Sequence, residues 1–134
     1  RAAKGRVNAL RERARELIEV TGLSRVAHLP AGNMSGGQQK LLQFASMLMP
    51  EPELILLDEP LAGINPVLIE KVIQCIEHAN QKLGVTFVVI EHNTDVLMNL
   101  SHRVVVLHQG AKLADATPEE VVRNQEVIEA YLGG

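Results

Sequence analysis

Leu54-Ile55-Leu56-Leu57-Asp58-Glu59-Pro60 decides how the rest of the chain is read. Consecutive apolar side chains with no polar alternation suit a strand buried on both faces, and the run stops abruptly in two carboxylates and a proline. A second run, Thr86-Phe87-Val88-Val89-Ile90, ends the same way, in Glu91-His92-Asn93. Between the two, Asn65 followed by Pro66 reads as an N-cap and a first helical position. The helix they open turns Ile69, Val72, Ile73, Ile76 and Leu83 inward, and Gly84 closes it. Strand, helix and strand in this order call for a right-handed crossover, parallel pairing and a sheet covered on both faces, so the fold class is α/β.

Downstream, a short helix through Val96, Leu97 and Leu100 precedes a third strand from Arg103 to Leu107. His108-Gln109-Gly110 then turns the chain into a return strand around Lys112 to Ala114. Thr117-Pro118-Glu119-Glu120 is a capping box, followed by a helix or helix pair carrying Val121, Val122, Val127, Ile128 and Tyr131. Upstream, Val7, Leu10, Ala14, Leu17 and Ile18 recur at helical spacing until Gly22. Residues 24–33 are irregular, and Ser35-Gly36-Gly37 opens a helix with Leu41, Leu42, Ala45, Leu48 and Met49 on its apolar side, stopped by Pro50 and Pro52. The expected organisation is therefore a helical front, 1–50, and an α/β remainder, 51–134.

Composition narrows the function classes. With 46% hydrophobic residues in 134, the chain can bury a core, and its single cysteine, Cys75, falls on the apolar stripe of a helix and reads as a small buried hydrophobe. No apolar run approaches the roughly 18 residues of a membrane-spanning helix, and no signal peptide is visible, so the expected location is the cytoplasm. Six of the thirteen basic residues (Arg1, Lys4, Arg6, Arg11, Arg13 and Arg15) crowd the first helix, interrupted by Glu12 and Glu16, which reads as a solvated face. With only Phe44, Phe87 and Tyr131 as aromatics there is no platform for stacked bases, and nucleic acid is not an expected partner.

Three polar clusters carry chemistry. Asp58-Glu59 and Glu91-His92 each follow the carboxyl end of a strand, the edge on which open parallel sheets bind ligands. Carboxylates there suit a hydrated Mg²⁺ and an oriented water, and a histidine suits a phosphate oxygen. The same residues also serve as plain strand termini and helix caps. Met34-Ser35-Gly36-Gly37-Gln38 opens a helix, where unpaired amides and the dipole favour an anion and two glycines permit close approach; it equally suits a loop with an ordinary N-cap at Ser35.

Together these clusters resemble the ATP-binding cassette (ABC) ATPases. Met34-Ser35-Gly36-Gly37-Gln38 is similar to the family's signature motif, the 54–60 segment, sixteen residues beyond Gln38, to its Walker B strand, and His92 to its switch histidine. The resemblance implies a P-loop NTPase-like parallel sheet with flanking helices, preceded by the later part of the helical signature subdomain. It implies that Asp58 supports Mg²⁺ through water, that Glu59 polarises the attacking water, and that His92 senses the γ-phosphate of ATP. Ser35, Gly36, Gly37 and Gln38 would face ATP held by a second, head-to-tail ATP-binding subunit, with Gly63 and Asn65 in the loop linking the two sites. Membrane permease subunits would be further partners, placing the chain at the inner face of the cell membrane.

Departures from the pattern are as informative. Met34 stands for leucine, Lys40 for a common arginine and Asn65 for a frequent aspartate. Ala62-Gly63-Ile64-Asn65-Pro66, Ile90-Glu91-His92-Asn93, residues 110–121 and the phrase 129–133 resemble the branched-chain amino-acid importer branch. No Gly-Lys pair occurs, so the P-loop is missing, and the chain reads as a fragment with an incomplete sheet. Alone it is expected neither to bind ATP tightly nor to hydrolyse it, and to self-associate through unpaired strands. The alternatives are a non-catalytic binding or scaffold module and a non-transport ABC ATPase.

Overall fold

A computed structural model describes residues 2–132; Arg1 of the basic run and Gly133 of the C-terminal phrase lie outside them. The chain forms two compact units, Arg1–Ile90 and Glu91–Gly134. The division falls at the end of the second strand, whereas the sequence reading draws its line near residue 50. The helical front and the first two strands share a unit because Phe44 of the second helix stacks on Phe87 of the second strand, centroids 6.1 Å apart.

In the first unit, α1 (Ala2–Val20) ends in a Schellman arrangement: Gly22 sits at φ +73° and the Leu23 amide donates to the Ile18 carbonyl at 2.9 Å. Leu17, Thr21 and Leu23 are buried there, while Val7 and Leu10 remain exposed. Short 3₁₀ turns at Ser24–Val26 and Ala31–Asn33 lead to α2 (Gly36–Leu48), which buries Leu41, Phe44, Ala45 and Leu48. Strand β1 (Leu54–Asp58) is followed by α3 (Pro66–Leu83), capped by Asn65 and closed by left-handed Gly84, and by β2 (Thr86–Ile90). Val72, Cys75, Ile76 and Ala79 form the inward face of α3.

β1 and β2 pair in parallel, Leu54 opposite Thr86 through Asp58 opposite Ile90. Coverage on both faces, expected from the unbroken apolar run, is not what forms. Ile55 and Leu57 are buried, but Leu56 is 71% exposed and its register partner Val88 50%. The side-chain period of two puts Leu54, Leu56, Val88 and Ile90 on one face, and that face is open. Among the described residues this sheet has two strands, so it is partial, in line with the incomplete sheet expected from sequence.

The second unit holds α4 (Thr94–Leu100), an antiparallel hairpin of β3 (Val104–His108) and β4 (Ala111–Ala116), then α5 (Pro118–Val121), α6 (Gln125–Val127) and a π-helical turn at Ile128–Leu132. Gln109 and Gly110 both have positive φ, 49° and 81°, the requirement of a type I′ hairpin turn. Val104, Ala114, Val121 and Val127 make its core. The Tyr131 hydroxyl donates to the Leu107 carbonyl and its ring meets His108 edge-on, tying the terminal turn to the hairpin.

Candidate nucleotide-facing site

The opening of α2 is built by side chains satisfying backbone. Ser35 is the N-cap: its Oγ accepts from the Gln38 amide at 3.3 Å, and Gln38 Oε1 accepts from the Ser35 amide at 2.9 Å, a reciprocal capping box. Gln39 Nε2 donates to the carbonyls of Ala31 and Met34, bracing the loop in front of the helix. Met34 is buried, so replacing leucine there preserves an apolar anchor beneath the turn. A methyl group added to Gly36 would meet nothing within 4 Å, so there is open space beside the first residue of the helix. At Gly37 the added methyl would lie 2.8 Å from Leu68 Cδ2 of α3.

The 58–65 segment turns sharply. Asp58 closes β1 in register with Ile90, and Glu59 follows at φ +46°, a left-handed conformation uncommon for a side-chain-bearing residue. The Glu59 amide donates to the Ile90 carbonyl at 2.8 Å, and the Ala62 amide to the Glu59 carbonyl at 3.1 Å. Leu61 is buried and anchors the loop, Gly63 supplies a second positive φ, and Asn65 Oδ1 accepts from the Leu68 amide at 2.9 Å. Lys40 Nζ reaches across from α2 to the Ala62 carbonyl at 3.1 Å. Ser35 to Gln38, Asp58, Glu59, Gly63 and Asn65 thus share the first unit, and Lys40 and Leu68 join the helix opening to the loop. Sequence does not single out Lys40 and Leu68 as site residues, because their partners, Ala62 and Gly37, lie too far along the chain for any local pattern to show.

His92 belongs to the second unit. Its imidazole is 74% exposed with Nδ1 3.9 Å from Glu91 Oε2, whereas the Glu91 side chain is 2% exposed. Asn93 caps α4 by accepting from the Val96 amide at 3.2 Å. Among the described residues no three His, Cys, Asp or Glu side chains cluster as a metal cage. A hydrated Mg²⁺ bound largely by phosphate and water needs only one or two carboxylates, so exposed Asp58 at the strand end fits such an ion.

A family profile described as ABC transporter matches residues 2–62, and one described as branched-chain amino acid ATP-binding cassette transporter matches residues 111–134. The chain belongs to the ABC transporter ATP-binding family. It is 39% identical over 122 residues to the high-affinity branched-chain amino acid transport ATP-binding protein BraF of Pseudomonas aeruginosa, covering 91% of this chain and 48% of BraF. LivG of Escherichia coli K12, whose name describes the same transport, is 37% identical with the same coverage. Among solved structures, the ADP conformation of the ATP-binding cassette MJ1267 superposes with a TM-score of 0.79 at 32% identity, over 94% of this chain and 51% of that one. The structure of cbiO1 from Clostridium perfringens, part of the ABC transporter complex cbiONQ, gives 0.77 at 28% identity over 89% and 47%. This ABC chain therefore spans about half the length of the curated relatives it matches. No helix among its described residues is long and apolar enough to cross a membrane.

Proposed function

We propose that this chain serves the ATP-binding subunit of an importer in which ATP binding and hydrolysis drive uptake of branched-chain or other hydrophobic amino acids. The observation that carries the proposal is the joining of the Ser35–Gln38 helix opening to the loop behind the Asp58-Glu59 pair, through Lys40 and Leu68, in an ABC-family chain. The printed names of BraF and LivG and the C-terminal profile support the solute class. Residues 1–50 would supply the later part of the signature subdomain and 51–134 the second half of the ATPase core.

In this proposal Glu59 orients and deprotonates the attacking water, and His92 hydrogen-bonds the γ-phosphate. The Gly36 and Gly37 amides, with Ser35 and Gln38, face ATP on a second ATP-binding subunit, where the helix dipole favours negative charge. Ser35 can donate its hydroxyl hydrogen to a phosphate while its Oγ still accepts from the Gln38 amide, so the cap is kept. Gly63 and Asn65 shape the loop between sites, and Asp58 would hold Mg²⁺ through water. Mg²⁺, when bound, neutralises phosphate charge. Membrane permease subunits complete the assembly at the inner face of the cell membrane.

The test joins this chain to a P-loop-bearing half of an ABC ATPase and measures MgATP hydrolysis. Turnover should appear in the joined protein, be absent from the 134-residue chain alone, and fall by about 10²–10⁴-fold on Glu59→Gln. Turnover that survives Glu59→Gln removes Glu59 as the base. Failure of any active joined protein to form favours the non-catalytic module.

A further inference from the structure

Two contacts of different chemistry span from α2, one to the loop that follows Glu59 and one to the first turn of α3 behind that loop. Leu68 Cδ2 occupies the space into which a methyl group on Gly37 would project, at 2.8 Å, so at this point the leucine packs against the bare backbone of the helix opening. One helical turn further, Lys40 Nζ donates to the Ala62 carbonyl at 3.1 Å. Leu68 is itself fixed to the loop, because its amide is capped by Asn65 Oδ1. The loop's other end is fixed to the sheet by the Glu59-to-Ile90 bond, closed by the Ala62-to-Glu59 turn bond and anchored by buried Leu61. Residues 61–65 are thereby held at both ends and tied to α2 directly at Ala62 and indirectly through Leu68, whose amide Asn65 caps.

We propose that Leu68 and Lys40 are positioning residues that make the Ser35–Gln38 turn and the 61–65 loop one mechanical piece, so that displacing either moves the other. Its functional consequence, that occupancy at the helix opening is transmitted to the carboxylate pair of the same chain, rests on the ATP-site reading above; the coupling itself does not. Alanine at position 37 would ordinarily favour the helix, but its methyl would make the end of the Leu68 side chain rotate away, loosening this contact.

Hydrogen exchange read by mass spectrometry on the 134-residue chain, without nucleotide, tests the coupling. Gly37→Ala and Lys40→Met should each speed exchange of the 61–65 amides about fivefold while leaving the body of α2 within about twofold. Lys40→Arg, which keeps a donor, should stay near wild type. Added to Leu68→Ala, Gly37→Ala should change little more, because the two act through one contact. Exchange at 61–65 that is unmoved by Gly37→Ala and Lys40→Met, or strictly additive effects of Gly37→Ala and Leu68→Ala, overturns the proposal. An inactive joined ATPase would bear on the nucleotide reading alone, since exchange needs no ATP.

Discussion

The Glu59 amide is bonded to the Ile90 carbonyl at 2.8 Å while Glu59 itself sits at φ +46°. The bond pins the chain to the end of the neighbouring strand just where it must reverse direction, and the left-handed conformation is the cost of reversing at a residue that carries a side chain. A residue with a Cβ pays roughly 1 kcal/mol there that glycine does not. Glu59→Gly should accordingly exceed Glu59→Ala in urea stability by up to about 1 kcal/mol, since both lose the side chain and only alanine keeps the strain, and both should lose turnover in the joined ATPase. Glu59→Gln, which keeps the strained backbone and the side-chain shape, should lower turnover by about 10²–10⁴-fold. A Glu59→Gly protein no more stable than Glu59→Ala would mean that the left-handed conformation carries no strain in solution.

Arg13 closes the other end of α2. Its guanidinium donates to the Leu48 carbonyl at 2.6 Å and the Met49 carbonyl at 3.2 Å, and it pairs at 3.5 Å with Glu51, itself a second left-handed residue. The carbonyls at a helix end have no partner within the helix, and a cation is favoured there by the dipole. Arg13→Met, which keeps the aliphatic stem, should lower the urea stability of the first unit by about 1.5–3 kcal/mol. Arg13→Lys should recover only part of it, since a point ammonium cannot reproduce the forked donor set. A loss below about 0.5 kcal/mol for Arg13→Met would reduce the contact to a surface ion pair.

Caps were legible in the sequence because they are local chemistry. Ser35 with Gln38, Asn65 with Pro66, Thr117 with Glu120 and Gly84 all act within a few residues of themselves, and each does what its type and spacing predict. The ends of β1 and β2 were equally plain, since an apolar run that stops in charge has few other meanings. What covers a strand face is not local. Leu54-Ile55-Leu56-Leu57 reads as buried on both sides, yet only Ile55 and Leu57 find cover among the described residues. Arg13 was read as part of a solvated basic face for the same reason: its carbonyl partners lie thirty-five and thirty-six residues away. Of the candidate site, the helix opening and the carboxylate pair were visible, and their link through Leu68 and Lys40 was not.

In the second unit, the Arg103 guanidinium grips Asp115 with two bonds, at 2.6 and 2.8 Å, and Lys112 adds a third at 2.9 Å. The bonds from Arg103, then that from Lys112, hold the Asp115 carboxyl far below the usual carboxylate range. A carboxylate whose folded pKa is depressed stabilises the fold fully above its unfolded pKa, near 4, and loses that contribution as pH falls toward the folded value. Stability of the β3–β4 unit should therefore fall as pH drops below about 4, and Asp115→Asn should flatten that slope while lowering stability at neutral pH. The ¹³C carboxyl shift of Asp115 is the direct check. A midpoint in the ordinary aspartate range would show that the paired geometry does not persist in solution.

Cys75 is 1% exposed, with its Sγ 3.8 Å from the Val20 carbonyl, on the face of α3 turned toward the end of α1. Burial pushes its thiol pKa up, and nearby Lys71 pulls only modestly the other way. Since the thiolate is the reactive species, both burial and pKa oppose modification. Reaction with an aromatic disulfide at neutral pH should be on the order of a hundredfold slower in the native chain than in urea, its rate following local opening. Rapid modification of native protein would mean that α1 detaches readily from α3.

The open face of the β1–β2 sheet carries the last expectation. Leu56 and Val88 stand opposite each other in register, flanked by Leu54 and Ile90, so the exposed apolar groups are contiguous rather than scattered. A two-stranded sheet also leaves backbone donors and acceptors along its edges, and the two features together favour pairing with another strand. At the same time these side chains contribute little to the chain's own core, so replacing them should not unfold it. Sedimentation should show concentration-dependent self-association of the wild-type chain above its 14.7 kDa monomer mass. Leu56→Thr with Val88→Thr preserves β propensity, removes the apolar row and should restore the monomer with an unchanged circular dichroism spectrum. A wild-type chain that stays monomeric at every concentration tested would mean that the face is sheltered in solution, and association that persists in the double variant would move the contact to the strand edges.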